Sequence, residues 1–164
     1  GTLSSKIITM TIFQRLAFSV IIGLFTTTHT FAQGDAADVN PKIIEFCKKS
    51  MGKKIDRGEC WDLAKFALDY ANADWNSPYD FGTIVDPNEA NIIEGDIIQF
   101  ENVKLSNRTT FPHHTAIVYQ VLEPKKYIII HQNFNSVKKV STLELDLNLL
   151  TKGSITFYRP RGRK

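Results

Sequence analysis

The sequence lacks most of the features that would set it apart from an ordinary globular domain. Its 164 residues contain only two cysteines, so at most one internal disulfide can form, and the 43% apolar content is enough to bury a core without several such bonds. No internal repeat and no low-complexity tract occurs, so the default is one folded domain. The apolar stretch Leu16 to Phe25 is well short of the roughly 20 residues that cross a bilayer.

The chain also lacks a strong net charge. The formal charge is +3, and removal of the first 32 residues, which hold Lys6, Arg15 and no acids, lowers it by two to +1. The only dense basic cluster is at the C-terminal end and comprises Arg159, Arg161, Arg163 and Lys164. A nucleic-acid surface needs concentrated positive charge, so we predict no nucleic-acid partner and interpret the cluster as a solvated tail.

Residues 1–32 are interpreted as a leader with a signal peptide. A basic residue, Arg15, precedes the apolar stretch, and small residues end it at Ala32, which is the order typical of secretory signals. Cleavage near Ala32 would leave a single domain over residues 33–164, with no stable membrane span. This pattern predicts a secreted or periplasmic protein.

The remainder changes from helical to extended patterns. Apolar positions at helical spacing predict helices over Pro41–Met51 and Glu59–Asn72, and turn-forming residues predict a long loop over Trp75–Ala90. Four strands are predicted: Asp96 to Glu101, His114 to Leu122, Tyr127 to Asn133, and Ser154 to Tyr158. The segment from Ser141 to Thr151 fits either a strand or a helix, and a short helix over its second half is favoured. The layout is α+β, with N-terminal helices packed on a small antiparallel sheet.

Cys60 is the first residue on the apolar face of the second predicted helix, and histidines on the predicted strands follow it in the sequence. Alternate side chains of a strand share a face, so His114 points with Ala116 and Val118, whereas His113 points the other way. By the same alternation His131 shares a face with Asn133 on the adjoining strand. If that face turns toward the helix, a thiol nucleophile, a base and an orienting residue come together. The prediction requires the His114 ring to lie on the same side of the sheet as Cys60.

This set of residue types suits acyl transfer. The thiolate is the reactive form of cysteine, and a free thiol with a pKa of about 8.5 is mostly protonated at neutral pH. A helix N-terminus and a nearby imidazolium both favour the anion, and an unpaired backbone N–H in the first helical turn can bind the oxyanion.

The segment Gly58-Glu59-Cys60-Trp61-Asp62-Leu63-Ala64 resembles the nucleophile helix of the CHAP amidases and their NlpC-type relatives. Glu94 to Phe100 is similar to the Gly-Asp strand of those families, His114 to Val118 to their histidine strand, and His131 to Asn133 to the segment with their third polar residue. The resemblance implies a papain-like fold and hydrolysis of amide bonds, commonly in bacterial peptidoglycan peptides. It implies Cys60 as nucleophile, His114 as base, and His131 as orienting residue.

Several alternatives stay open at this point. Asn133 could replace His131 as the third residue, and Glu59, Trp61 and Tyr79 are candidates for contacting substrate or orienting the site. Cys60 could instead form a disulfide with Cys47. No cofactor and no metal are predicted. The working function is an exported cysteine amidohydrolase or endopeptidase that acts on peptidoglycan or another peptide; the alternatives are a non-catalytic binding or adhesion module, or an interbacterial amidase toxin with an immunity protein as partner. The oligomeric state is left open.

Overall fold

The computed structural model describes residues 36–163, which form two helices and a six-stranded antiparallel sheet. The predicted leader, residues 1–32, lies outside the described residues. Within the described range, no helix is both long enough and apolar enough to span a bilayer.

The two helices are α1, Ala36–Ser50, and α2, Cys60–Tyr70. Helix α1 begins upstream of the predicted start, so Pro41 lies inside the helix and not in its first turn. The buried side chains of Val39 and Ile43, four positions apart, hold this additional turn against the core.

Helix α2 begins and ends close to the predicted bounds for identifiable reasons. At its start the backbone N–H of Glu59 donates to Oδ2 of Asp62 at 3.0 Å, which is the reciprocal half of a capping box. At its end Asn72 adopts a left-handed backbone with a φ of 54°, a conformation that asparagine tolerates better than most residues.

The strands are, in chain order, β1 Ala73–Asp74, β2 Thr83–Val85, β3 Ile97–Leu105, β4 Thr110–Glu123, β5 Lys126–His131, β6 Ser141–Asp146, β7 Leu150–Arg159 and β8 Arg161–Gly162. The order in the main sheet is β2-β7-β3-β4-β5-β6, and β1 pairs separately with β8. All four predicted strands are present as β3, β4, β5 and β7. The ambiguous segment is a strand, β6, followed by a single 3-10 turn over Leu147–Leu149, so the favoured short helix is reduced to that turn.

The sheet buries both of its faces. Ile97, Ile117 and Ile130 lie in one core with side chains of α1 and α2, and this side is the helix face. The opposite side, the far face, carries a second core that includes Phe100, Ala116, Val118, Ile129 and Phe157. Each fully buried aliphatic or aromatic side chain contributes about 1.5–3 kcal/mol, so both cores are needed for stability.

The prediction of a solvated tail is wrong for Arg159 and Arg163, which are part of the fold. Asp96 is fully buried, and its carboxylate accepts hydrogen bonds from Arg159 at 2.9 Å and from the Asn40 amide at 3.1 Å. Burial raises the pKa of Asp96 and the hydrogen bonds from Arg159 oppose that shift. Arg163 donates to the carbonyl of Ala73 at 3.1 Å. The prediction failed because a charge-dense terminus can still pair with a buried acid.

Candidate active site

Cys60 is the first residue of α2 and is half-buried. It continues the stripe that Leu63, Ala64 and Ala67 bury against the helix face. Cys47 is fully buried in the core, where burial raises the pKa of its thiol to about 12. Both cysteines are free thiols, so the structure does not contain the Cys47–Cys60 disulfide that was considered as an alternative.

The segment before Cys60 is held by Gln132, which was not among the predicted site residues. Gln132 is fully buried, accepts from the N–H of Ile55 at 2.7 Å, and donates to the carbonyls of Ile55 at 3.1 Å and Glu59 at 2.9 Å. The start of α2 is therefore fixed to the end of β5. Since the preceding residue, His131, pairs with Ala116, the start of α2 lies over the first half of β4.

Two residues near Gln132, Asn133 and Lys138, are more exposed than Gln132. Asn133 donates to Oε2 of Glu59 at 2.7 Å, and Lys138 forms an ion pair with Oε1 of the same carboxylate at 2.8 Å. These contacts, with that of Lys138 first, lower the pKa of Glu59. Asn133 therefore contacts the residue that precedes the thiol.

His114 lies on the far face, away from α2. It pairs with Phe100 across β3 and stacks on Phe111 with ring centroids 5.4 Å apart, and both of those rings belong to the far-face core. The alternation predicted for His113, His114 and Ala116 is confirmed by this register. The expectation that the face of His114 turns toward Cys60 is wrong, because α2 packs on the face of Ile117.

His131 accompanies His114 in the far-face core. The two imidazoles share a hydrogen bond of 3.0 Å between Nε2 of His114 and Nδ1 of His131, and His131 stacks on Phe134. Burial, together with the charge of His131, lowers the pKa of His114 to about 3, and burial lowers that of His131 to about 4. The pair is neutral at physiological pH, and one ring donates while the other accepts.

His113 lies on the helix face, because Ile117 lies there and strand residues alternate. Its side chain is 50% exposed, and Nδ1 contacts Oε2 of Glu101 at 2.9 Å, directly across the β3–β4 ladder. Nε2 contacts the hydroxyl of Tyr79 at 2.8 Å. His113 is thus an exposed residue that lies on the side of the sheet against which α2 packs.

A chain of polar contacts continues from this histidine into the helix face. Glu101 accepts from Nε2 of Gln99 at 2.9 Å, and Gln99 accepts from the hydroxyl of Thr115 at 2.7 Å. The hydrogen bond with His113 lowers the pKa of Glu101, which therefore stays ionised beside the imidazole at neutral pH. A carboxylate in this position can fix the tautomer of the ring and stabilise its protonated form.

The remaining candidate residues, Trp61 and Tyr79, each pack in an aromatic pair. Trp61 packs edge-on against Trp75 with centroids 5.7 Å apart, and Tyr79 packs edge-on against Phe81 at 6.1 Å. Within residues 36–163, no three His, Cys, Asp or Glu side chains converge in a way that would hold a metal ion.

A cavity of about 880 Å³ lies elsewhere, between α1, the segment from Pro87 to Glu94 and the β4–β5 hairpin. Neither Cys60 nor His113 lines it. The cavity is mostly apolar, and we assign it no part in the chemistry of the thiol.

Residues 35–164 match the family model of the AIM3/BBC1 cysteine proteinase-fold domain. The chain belongs to this family. The match confirms the predicted place of the chain in the papain-like cysteine peptidase superfamily, and the two helices and antiparallel sheet agree with the predicted α+β class. The division of the sequence at residue 33 stays a prediction.

A curated relative of this AIM3/BBC1 domain is the altered inheritance of mitochondria protein 3 of the yeast Debaryomyces hansenii. It is 28% identical over 143 residues, which cover 72% of this chain. The chain spans 15% of the length of that relative.

The crystal structure of Ly7917, alone and "with the hydrolyzing product of MDP", has the same fold. Both chains align with a TM-score of 0.51 and 14% identity over 74% of this chain, and over 62% and 63% of their own lengths respectively. At this identity the likeness concerns the fold alone.

The yeast relative corrects one prediction and leaves another without support. A yeast protein named for mitochondrial inheritance contradicts the predicted secreted or periplasmic location. A bacterial cell-wall substrate likewise finds no support in this relative.

Proposed function

We propose that the domain is a cysteine hydrolase that cleaves amide or ester bonds through an acyl-enzyme on Cys60. His113 would be the base and Glu101 the orienting carboxylate, in place of the predicted His114 and His131. The observation that carries the proposal is the His113–Glu101 pair, 2.9 Å apart, on the face of the sheet against which the helix of Cys60 packs. The resemblance of residues 58–64 to the nucleophile helix of CHAP and NlpC-type enzymes supports Cys60 as the nucleophile.

The proposed reaction follows from these groups. His113 takes the thiol proton while Sγ of Cys60 attacks the carbonyl carbon, and Glu101 stabilises the imidazolium that forms. The backbone N–H of Cys60, in the first helical turn, would donate to the oxyanion. The C–N or C–O bond then breaks and the leaving group receives the proton from His113. Water, deprotonated by the same ring, hydrolyses the thioester and regenerates the thiol.

The rest of the site positions the thiol of Cys60. Gln132 holds the backbone of Glu59, so the start of the helix that carries the thiol is fixed in place. The substrate class that the proposal names is an acyl compound with an accessible carbonyl, a peptide amide being the first candidate.

The test is to trap the acyl-enzyme. The protein would be incubated with a panel of fluorogenic peptide amides and p-nitrophenyl esters, quenched in acid, digested and examined by mass spectrometry. We expect an acyl group on the Cys60 peptide, formed faster than on N-acetylcysteine at the same pH, and none on the Cys47 peptide, which is an internal control because Cys47 is buried. Cys60→Ser should remove the label.

An acylation rate at Cys60 equal to that of N-acetylcysteine would overturn the proposal. In that case a non-catalytic module that retains the fold, the alternative raised from the sequence, would be the better account.

A further inference from the structure

Both ring nitrogens of His113 are engaged by side chains other than Cys60. Glu101 contacts Nδ1 at 2.9 Å and the hydroxyl of Tyr79 contacts Nε2 at 2.8 Å. An imidazole that serves as base for a thiol needs one nitrogen for the orienting carboxylate and the other for the thiol proton. Tyr79 therefore occupies the nitrogen that the proposed reaction requires.

We propose that Tyr79 is a gating residue of this site, whose hydroxyl must leave Nε2 of His113 before the ring can accept the proton of Cys60. This inference rests on the proposed function. It does not depend on which tautomer is present, because Nε2 is occupied whether it donates to Tyr79 or accepts from it.

The loop that carries Tyr79 is a small unit that is anchored on both sides. Asn76 and Asp80 exchange two backbone hydrogen bonds of 3.0 and 3.1 Å, which close the loop at its base. On one side the indole of Trp75 donates to Asp69 at 2.9 Å, and on the other Phe81 is fully buried. Only the residues between these two anchors need to rearrange when the hydroxyl leaves.

The state in which the hydroxyl of Tyr79 bonds Nε2 of His113 is held weakly. Tyr79 is 38% exposed, and its backbone has a φ of 64°, a left-handed conformation that is uncommon for a bulky residue and carries strain. Its ring also contacts the edge of the His113 ring with centroids 5.5 Å apart. One neutral hydrogen bond contributes about 0.5–1.5 kcal/mol net, so a bound acyl substrate can displace the hydroxyl at small cost.

The test compares rates of alkylation of Cys60 by iodoacetamide at neutral pH, read from the Cys60 peptide by mass spectrometry. The variants are wild type, Tyr79→Phe, His113→Gln and the double variant. Tyr79→Phe keeps the ring and removes the hydroxyl, so we expect the rate to rise by about threefold to tenfold, which is the loss of one hydrogen bond. The rise should disappear in the double variant, because the gate acts through His113.

Tyr70→Phe is the matched control. Its hydroxyl bonds Glu45 and Lys49 on the exposed side of the helices, so its removal should leave the alkylation rate unchanged. Thermal unfolding of each variant would show that the fold is retained.

The outcomes separate the gate from the proposed function. If Tyr79→Phe equals or falls below wild type while His113→Gln lowers the rate, the gate is wrong and the base assignment stands. If His113→Gln changes nothing in either background, the proposed base is wrong and the gate fails with it.

Discussion

Two adjacent histidines, His113 and His114, lie in opposite environments because successive residues of β4 point to opposite faces of the sheet. His114 is buried among aromatic rings and hydrogen-bonded to His131, with a pKa lowered to about 3. His113 is half-exposed and bonded to the ionised carboxylate of Glu101. The comparison teaches that the environment of a histidine in a strand is decided by the face of the sheet on which it lies.

The largest expected effect concerns which histidine serves Cys60. His113→Gln should lower the rate at which p-nitrophenyl esters acylate Cys60 by about 100-fold, because the general base is lost. His114→Phe keeps an aromatic ring in the far-face core and should change the rate by less than about threefold. The release of nitrophenolate under single-turnover conditions measures both. The reverse order of effects would restore His114 as the base.

The same two positions should differ in the opposite sense in stability. His114→Ala removes a ring stacked on Phe111 and leaves a buried nitrogen of His131 without its partner, so the free energy of unfolding should fall by about 3 kcal/mol. His113→Ala, at a half-exposed position, should lower it by less than about 1 kcal/mol. Urea unfolding at neutral pH gives both values. Equal losses would mean that the two environments are not as different as described.

The buried pair also predicts how stability depends on pH. His114 and His131 have folded pKa values of about 3 and about 4, against 6.5 for an ordinary histidine. Below pH 6.5 the unfolded chain therefore binds more protons than the folded chain. The stabilisation is complete above pH 6.5 and is lost as the pH falls from 6.5 toward 4 and then 3, by an amount on the order of a few kcal/mol.

The control for this prediction is a variant that cannot titrate. His114→Phe combined with His131→Leu replaces both partners by apolar groups, and its stability should be nearly flat between pH 6.5 and 5. Urea unfolding across this range compares the two proteins. If the variant shows the same slope as wild type, other groups cause the acid sensitivity.

The smallest expected effect concerns two neighbours at the end of β5. Gln132→Ala removes the three hydrogen bonds that hold Ile55 and Glu59, and should lower the acylation rate of Cys60 by about tenfold through misplacement of the thiol. Asn133→Ala removes one part-buried contact with Glu59 and should change the rate by less than about twofold. A larger effect at Asn133 would favour its predicted role as the third residue of the site.

Local sequence patterns predicted the helices and strands well, but they did not predict which face of the sheet packs against α2. The helix that begins at Cys60 and the strand containing His114 could be predicted because apolar spacing and alternation are local signals. The side on which α2 packs was not readable, because both faces of the sheet are apolar: Ile117 and Ile130 on one, Val118 and Ile129 on the other. When both faces of a sheet are apolar, the sequence shows which residues share a face. It does not show which of the two faces packs against the helix.

Gln132 was missed for the same reason. It lies between His131 and Asn133, which were predicted to share a face. Because His131 lies on the far face, the next position, Gln132, contacts the segment before Cys60, and Asn133, beyond the end of β5, also contacts Glu59. The pairing of Glu101 with His113 was also unpredictable, since it depends on the register of two strands. Register is set by long-range packing and not by either strand alone.

The ion pair between Asp96 and Arg159 has a consequence for where the polypeptide can be cut. The carboxylate is completely enclosed, and its guanidinium partner is supplied by the last position of β7. A shortened chain that stops at Tyr158 would strand a negative charge in the interior, at a cost of about 3–5 kcal/mol. Arg159 is therefore needed to neutralise the buried carboxylate of Asp96. Tags or fusions at this end are tolerated only if they start after Arg159.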